Sequence, residues 1–127
     1  MKNNYKFSGK VIQGKKRGKR LGFPTANIAI DEKIPEGVYL SIATIEEKEY
    51  QSLTFVGRAE TFDENFYHAE TYILSWPADK SLYGQEIKVG LIKKIRENKK
   101  FASEQKLAEQ MQKDKKEAQE FFLTNKV

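Results

Sequence analysis

Between residues 7 and 94 the chain alternates hydrophobic and polar residues in short runs. In residues 37–45, Val38, Leu40 and Ile42 fall on one face of an extended strand, as in a half-buried antiparallel strand. The same period of two predicts strands over residues 7–12, 25–30, 37–45, 50–56, 68–76 and 86–94. We therefore expect a mainly β fold.

The connections between these predicted strands contain turn residues and no helical segments. Pro35-Glu36-Gly37 and Leu82-Tyr83-Gly84 are examples of such turns. Parallel strands need long crossover connections, usually helices, so the strands are expected to pair antiparallel. Because closure removes exposed strand edges, the pattern predicts an antiparallel barrel that is closed or nearly closed.

After Phe101 the hydrophobic period changes to that of a helix. Ser103 is a suitable N-cap, and the hydrophobic residues that then share one helical face are Leu107, Met111, Ala118 and Phe122. The other face consists of Lys, Glu and Gln, which indicates an amphipathic helix lying on the barrel. We expect one domain over residues 1–127, with the barrel over about residues 5–95 and the helix over about residues 103–123.

The composition excludes several kinds of site. The chain has no cysteine and a single histidine, His68, so it has no thiol nucleophile, no cysteine-based zinc site and no multi-histidine metal site. No apolar run reaches the roughly 20 residues of a spanning helix, and the first ten residues lack the apolar centre of a secretory signal. We expect a cytoplasmic protein without a membrane partner. The net charge of +5 favours anionic partners.

Residues 14–27, GKKRGKRLGFPTAN, form the most unusual segment of the sequence. Six of the 23 Lys and Arg residues lie between residues 10 and 20, among glycines whose spacing fits neither a Walker A nor a Rossmann motif. Such a loop could cover a polyphosphate, or it could be a solvated hairpin loop. Pro24 favours a strand start that puts Thr25 and Asn27 on one face. Their oxygens could bind a hard cation and its phosphate ligands, or only local backbone groups.

This segment resembles the signature of the riboflavin kinase family, in which spaced glycines and an arginine precede Leu-Gly-Phe/Ile-Pro-Thr-Ala-Asn. The resemblance covers nearly the whole chain and continues in order through Gly37-Val38-Tyr39, Gly57, Thr61-Phe62, Glu70, Leu82-Tyr83-Gly84, Ile95-Arg96 and Lys100-Phe101. It implies a six-stranded antiparallel Greek-key barrel with a C-terminal amphipathic helix. It also implies transfer of the ATP γ-phosphoryl group to the 5′-hydroxyl of riboflavin, which yields FMN. Many bacterial members carry an additional N-terminal FMN adenylyltransferase half, and this chain resembles the kinase half.

The resemblance also implies roles for individual residues. Glu70 matches the catalytic glutamate, which would accept the proton of the acceptor hydroxyl. The implied ATP-binding residues are Gly14, Arg17, Gly18, Leu21, Gly22, Pro24, Thr25 and Asn27, and the last two would also bind Mg²⁺. The expected riboflavin-binding residues are Tyr83, Arg96, Asn98, Phe101 and Met111. The expected partners are therefore riboflavin, FMN, ATP and ADP, with Mg²⁺ as cofactor, no nucleic acid, and a monomeric protein.

Glu70 also has an ordinary interpretation, as a solvent-facing strand residue. The predicted strand places it on one face with Tyr72, Leu74 and Trp76, and a carboxylate among such neighbours favours a functional role.

Some positions depart from the family pattern and keep two other functions open. Phe55 replaces an asparagine, Glu60 replaces a proline, and Asn98 stands where an acidic residue is common. One alternative is a catalytically weak barrel that binds a flavin or a nucleotide. The other is a basic RNA-binding small barrel, although residues 10–20 contain no aromatic residue on which a base could stack.

Overall fold

The computed structural model describes residues 5–12, 25–30, 33–60, 65–76 and 82–124. These ranges contain one helix, α1 (Glu104–Thr124), which follows the strands. The strands are β1 (Lys6–Lys10), β2 (Thr25–Ala29), β3 (Gly37–Ile45), β4 (Lys48–Glu60), β5 (Asn65–Ile73) and β6 (Glu86–Arg96).

The six strands form one antiparallel sheet in the order β1-β6-β3-β4-β5-β2. Because β6 returns to lie beside β3, the order β6-β3-β4-β5 is that of a Greek key. The two edge strands of the sheet are β1 and β2. They come together where the Ile12 backbone amide donates to the Asn27 carbonyl oxygen at 2.8 Å. The sheet therefore forms a nearly closed barrel, and the predicted fold class is confirmed.

The predicted strands are all present among the described residues, although several of their ends differ. The bounds of β3 agree with the prediction, whereas β4 is longer and β5 begins and ends earlier. β4 extends because residues 58–60 pair with residues 65–67 of β5 after the hydrophobic alternation has ended. Trp76 lies beyond β5 and contacts Tyr50 edge to face, with 5.4 Å between ring centroids. The prediction that Trp76 shares a face with Glu70 was wrong, because the chain turns at residues 74–75.

The alternating residues form two hydrophobic clusters, one on each face of the sheet. The inner cluster fills the barrel and includes Val56, Ala69, Ile73 and Val89. The outer cluster lies between the sheet and α1, and its buried members are Val38, Leu40, Leu53, Tyr72, Met111, Ala118 and Phe122. Both faces of β3 and β4 are therefore covered, which fixes the register of these strands strongly.

The helix begins as the sequence predicts. The Lys106 amide donates to the Ser103 side-chain oxygen at 3.2 Å, and the Leu107 amide donates to the Ser103 carbonyl oxygen at 3.1 Å. Ser103 is therefore the N-cap of α1. Among the described residues, no helix is long and apolar enough to cross a membrane.

The hairpin between β3 and β4 has an unfavourable turn sequence. Ile45 pairs with Lys48, so the loop consists of Glu46 and Glu47, which have φ values of 51° and 68°. A two-residue loop with positive φ at both positions is a type I′ turn, which favours Asn-Gly because those residues tolerate left-handed backbone. The two glutamates therefore keep this turn at a cost in backbone energy.

We predict that replacing Glu46 with asparagine and Glu47 with glycine raises the free energy of unfolding by about 1–2 kcal/mol. Urea denaturation would show a higher midpoint with an unchanged slope. Glu49→Asn is the matched control, because Glu49 is an exposed strand residue with ordinary backbone. Equal gains in the double variant and the control would contradict a backbone origin.

Candidate functional site

One row of residues crosses the outer face of the sheet and contains the two main predicted site residues. Asn27 on β2 pairs with Glu70 on β5, which pairs with Phe55 on β4. The row continues through Val38 on β3 to Arg96 on β6. Residues directly opposite each other in antiparallel strands project from the same face, with Cβ atoms about 4.5–5.5 Å apart. The pairing thus makes Asn27 and Phe55 the two cross-strand neighbours of Glu70.

Asn27 and Glu70 provide two kinds of oxygen at neighbouring positions. Asn27 is only 7% exposed, and Glu70 is half-buried. The neighbours of Glu70 on the same face of β5 are His68 and Tyr72. The His68 Nδ1 atom lies 3.1 Å from the Gly57 carbonyl oxygen, and Tyr72 is buried in the outer cluster. A carboxylate in this position can accept a proton from an acceptor hydroxyl. An amide oxygen and a carboxylate are also the hard ligands that Mg²⁺ prefers in proteins.

Most of the predicted ATP-binding residues lie outside the described residues. These are Gly14, Arg17, Gly18, Leu21, Gly22 and Pro24. Thr25 is the first residue of β2, where its backbone pairs with Tyr72, and its side chain is outside the described part of the chain. The bridge between Ile12 and Asn27 nevertheless joins the described residue just before this part of the chain to the last of the predicted ATP-binding residues.

Arg96 and Asp114 join the far end of the row to α1. Nε and Nη2 of Arg96 donate to the two carboxylate oxygens of Asp114 at 2.8 and 2.7 Å. Asp114 is only 1% exposed and also accepts from Nε2 of Gln110 at 3.0 Å. A bidentate pair of this kind fixes both groups in orientation as well as distance. Arg96 therefore anchors the helix to β6, and its role in riboflavin binding stays a prediction.

Asn98 lies in the segment between β6 and α1 and contacts the sheet. Its Nδ2 donates to the Val56 carbonyl oxygen at 3.0 Å and lies 3.0 Å from the place where a Cβ on Gly57 would be. Gly57 therefore permits a close approach of Asn98 that a larger residue would obstruct. This contact places Asn98 next to β4, close to Phe55 along the same strand.

The other predicted riboflavin-binding residues occupy different environments. Met111 is buried in the outer cluster, and Phe101 is half-buried just before α1. Tyr83 is 64% exposed and lies in the turn before β6, where the Gly84 amide donates to the Val11 carbonyl oxygen at 3.0 Å. Tyr83 thus precedes a residue that contacts the chain just after β1, whereas the other four candidates lie on β6, in the segment after it or on α1.

The sequence prediction missed Asp114, although a signal was present. Asp114 follows Met111 by three residues and precedes Ala118 by four, so it falls on the buried face of α1. A carboxylate at a position where the helical pattern predicts a hydrophobic residue indicates a buried ion-pair partner. In the structure that partner is Arg96. The described residues contain no cluster of three or more His, Asp or Glu that could hold a metal ion.

Comparisons with known proteins identify several relatives of this chain. A family model for flavokinase, described as riboflavin kinase, matches residues 1–122. The chain is 39% identical over 119 residues to the trifunctional protein RibF/MnmA of Mycoplasmoides gallisepticum, which covers 91% of this chain and 18% of that protein. It is 34% identical over 122 residues to the bifunctional riboflavin kinase/FMN adenylyltransferase of Bacillus subtilis. That alignment covers 93% of this chain and 39% of the relative. The chain thus spans less than two fifths of the length of these relatives.

Two solved structures resemble the barrel with its helix. One is described as a macrolide-efflux protein from Streptococcus pneumoniae, with a TM-score of 0.78 and 30% identity over 90% of this chain and 38% of that chain. The other is riboflavin kinase from Trypanosoma brucei, with a TM-score of 0.61 and 22% identity over 94% of this chain and 80% of that chain. At 22% identity, the likeness to the Trypanosoma brucei structure shows a shared fold alone.

Proposed function

The chain belongs to the riboflavin kinase family, and from this premise we propose that it transfers the γ-phosphoryl group of ATP to the 5′-hydroxyl of riboflavin. The family implies ATP as co-substrate. The observation that carries the proposal is the pairing of Asn27 with Glu70. Both residues lie on the outer face of the sheet, the face on which α1 packs. This pairing supports the proposal because a carboxylate side chain and an amide side chain at neighbouring positions are groups that a hydroxyl phosphotransferase can use for its base and its phosphate or metal contacts.

In the proposed reaction, the riboflavin 5′-oxygen forms a bond to the γ-phosphorus while the bond from that phosphorus to the bridging oxygen of ADP breaks. The proton of the hydroxyl passes to the Glu70 carboxylate. The products are FMN and ADP, so atoms and charges balance. Since the transition state is loose, catalysis depends mainly on positioning and charge neutralisation.

We propose that Asn27, with Thr25, contacts the phosphates and Mg²⁺. The side-chain oxygens of a threonine and an asparagine are hard ligands that suit a small divalent cation. When bound, Mg²⁺ would neutralise charge on the ATP phosphates. Arg17 and the glycines at positions 14, 18 and 22 would cover the same phosphates, and Leu21 and Pro24 would complete the ATP-binding segment.

We propose that the acceptor lies on the α1 side of Glu70. The residues that would contact riboflavin there are Arg96, Asn98, Phe101 and Met111. The turn that carries Tyr83 contacts the chain just after β1 instead, so a contact of Tyr83 with riboflavin stays a prediction from the family resemblance. Flavin sites need an apolar slot with a few polar groups along its edge. The half-buried ring of Phe101 and the exposed amide of Asn98 are groups of these two kinds.

The direct test is to incubate the protein with riboflavin, ATP and Mg²⁺ and to separate FMN from riboflavin by chromatography. FMN formation is expected only when all three components are present. Riboflavin or ATP binding without FMN would favour the non-catalytic barrel, and salt-sensitive RNA binding without any flavin response would favour the RNA-binding barrel.

We predict that Asn27→Ala raises the Mg²⁺ concentration needed for half-maximal activity by about 10- to 100-fold. A change of this size corresponds to the free energy of one lost hydrogen bond with a charged group. The measurement is the initial rate of FMN formation across a Mg²⁺ titration at saturating riboflavin. Gln51→Ala is the matched control, because it removes an exposed amide on β4. An unchanged titration in Asn27→Ala would remove this residue from the metal and phosphate site.

A further inference from the structure

Phe55 is the cross-strand neighbour of Glu70 on the side away from Asn27. It pairs with Glu70 of β5 on one side and with Val38 of β3 on the other. Its side chain is half-buried and packs against the outer cluster beneath α1. The outer face thus changes at Glu70, from an amide on β2 to an aromatic ring on β4.

The order of the row has a consequence for the proposed reaction. Adjacent strands lie about 4.7–4.9 Å apart, so Asn27, Glu70 and Phe55 occupy successive positions across the sheet. In phosphoryl transfer the attacking and leaving oxygens are roughly in line with the transferred phosphorus. If the phosphates lie at Asn27, the acceptor hydroxyl approaches from the other side of Glu70, where Phe55 is the next side chain across the sheet.

The surroundings of Phe55 leave part of its ring accessible. Gly57 is two residues further along β4 on the same face and has no side chain to cover the ring. Asn98 lies against Gly57 and donates to the Val56 carbonyl oxygen, so it forms a polar border beside the ring. An aromatic surface with a polar border suits a planar, largely apolar ring system.

We propose that Phe55 is a substrate-binding residue for the acceptor, whose planar ring contacts the Phe55 ring while its hydroxyl lies at Glu70. The inference rests on the proposed function, because it assumes that the ATP phosphates lie at Asn27. It assigns a specificity role to a position where the sequence departs from the family pattern. Acceptors that carry a primary hydroxyl but no planar ring lose this contact.

The test compares Phe55→Leu with Phe55→Tyr, which keeps the aromatic ring. We expect Phe55→Leu to raise both the KM and the Kd for riboflavin by about 3- to 10-fold, the usual range for one aromatic contact. The KM for ATP should stay within about twofold, and Phe55→Tyr should keep a riboflavin Kd close to that of the parent. Riboflavin fluorescence quenching gives the Kd without turnover.

Phe121→Leu is the matched control for packing. Phe121 is also half-buried and packs against the outer cluster, but it lies on α1 beside Phe122, with 5.3 Å between ring centroids. We expect its substitution to lower the melting temperature without changing the riboflavin Kd. The proposal is overturned if Phe55→Leu and Phe121→Leu have the same riboflavin Kd, or if the KM for ATP rises as much as that for riboflavin.

The design separates this inference from the proposed function. A parent protein that binds riboflavin but forms no FMN contradicts the proposed function, and the Kd of Phe55→Leu then still decides the role of Phe55. A parent that forms FMN while Phe55→Leu binds riboflavin normally contradicts only the inference. A parent that neither binds nor converts riboflavin overturns both.

Discussion

Glu70→Gln is expected to lower the rate of FMN formation by about 100- to 10,000-fold, the usual contribution of a positioned general base. Glutamine keeps the length and hydrogen-bonding capacity of the side chain, but its neutral amide cannot accept the proton of the riboflavin hydroxyl. The pairing of position 70 with Asn27 and Phe55 should persist, because it depends on the backbone of β5. The loss should therefore appear in kcat rather than in folding.

The measurement is the initial rate of FMN formation by chromatography at saturating ATP, Mg²⁺ and riboflavin. Riboflavin binding, followed by fluorescence, should remain within a few-fold of the parent. Glu49→Gln is the matched control, because Glu49 is an exposed glutamate on β4, at the hairpin end of the strand. Full turnover by Glu70→Gln would exclude Glu70 as the base.

Asp114→Ala is expected to lower the free energy of unfolding by about 3–5 kcal/mol, as when one partner of a buried ion pair is removed. The substitution leaves the Arg96 guanidinium, whose side chain is only 15% exposed, without its two carboxylate acceptors. It also removes the acceptor for Gln110. Chemical denaturation followed by circular dichroism would measure the loss.

Two further variants identify the cause of the destabilisation. Glu117→Ala removes an exposed carboxylate from the same helix and should change stability by less than about 1 kcal/mol. The double variant Arg96→Ala with Asp114→Ala should lose less than the sum of the two single variants, because no unpaired buried charge remains. Additive losses would contradict the coupling between Arg96 and Asp114.

The anchoring of α1 connects stability with the proposed acceptor site. Arg96 holds the helix at the end of the row that contains Glu70 and Phe55. The helix carries Met111, and the segment before it carries Asn98, which contacts β4. Weakening the ion pair should therefore loosen the α1 side of the site before it affects the pairing of β2 with β5.

Local patterns in the sequence determined much of the fold. The period of two predicted the strands because successive side chains in a strand point to opposite faces, and β3 was predicted to its ends. The helical period and Ser103 predicted the beginning of α1, because an N-cap acts within one turn. The strand ends were less predictable where pairing extends beyond the hydrophobic alternation, as at the end of β4.

Residue chemistry in the sequence also indicated Glu70 and Asn27 as site residues, through their resemblance to a family motif. The sequence did not indicate that they are cross-strand neighbours, or that Phe55 lies on the other side of Glu70. The hairpin turn at Glu46 and Glu47 was equally hidden, because neither residue is typical of positive φ. These features depend on strand register, which both buried faces of the sheet select together.

The sequence by itself therefore determined the elements, the barrel class and the family, since each depends on periodicity or on a short motif. Only the tertiary structure decided the row from Asn27 to Arg96, the burial of Asp114 and the position of Trp76. The physical reason is that these contacts join residues far apart along the chain. Their geometry is set by the packing of whole strands and of α1, which no local pattern contains.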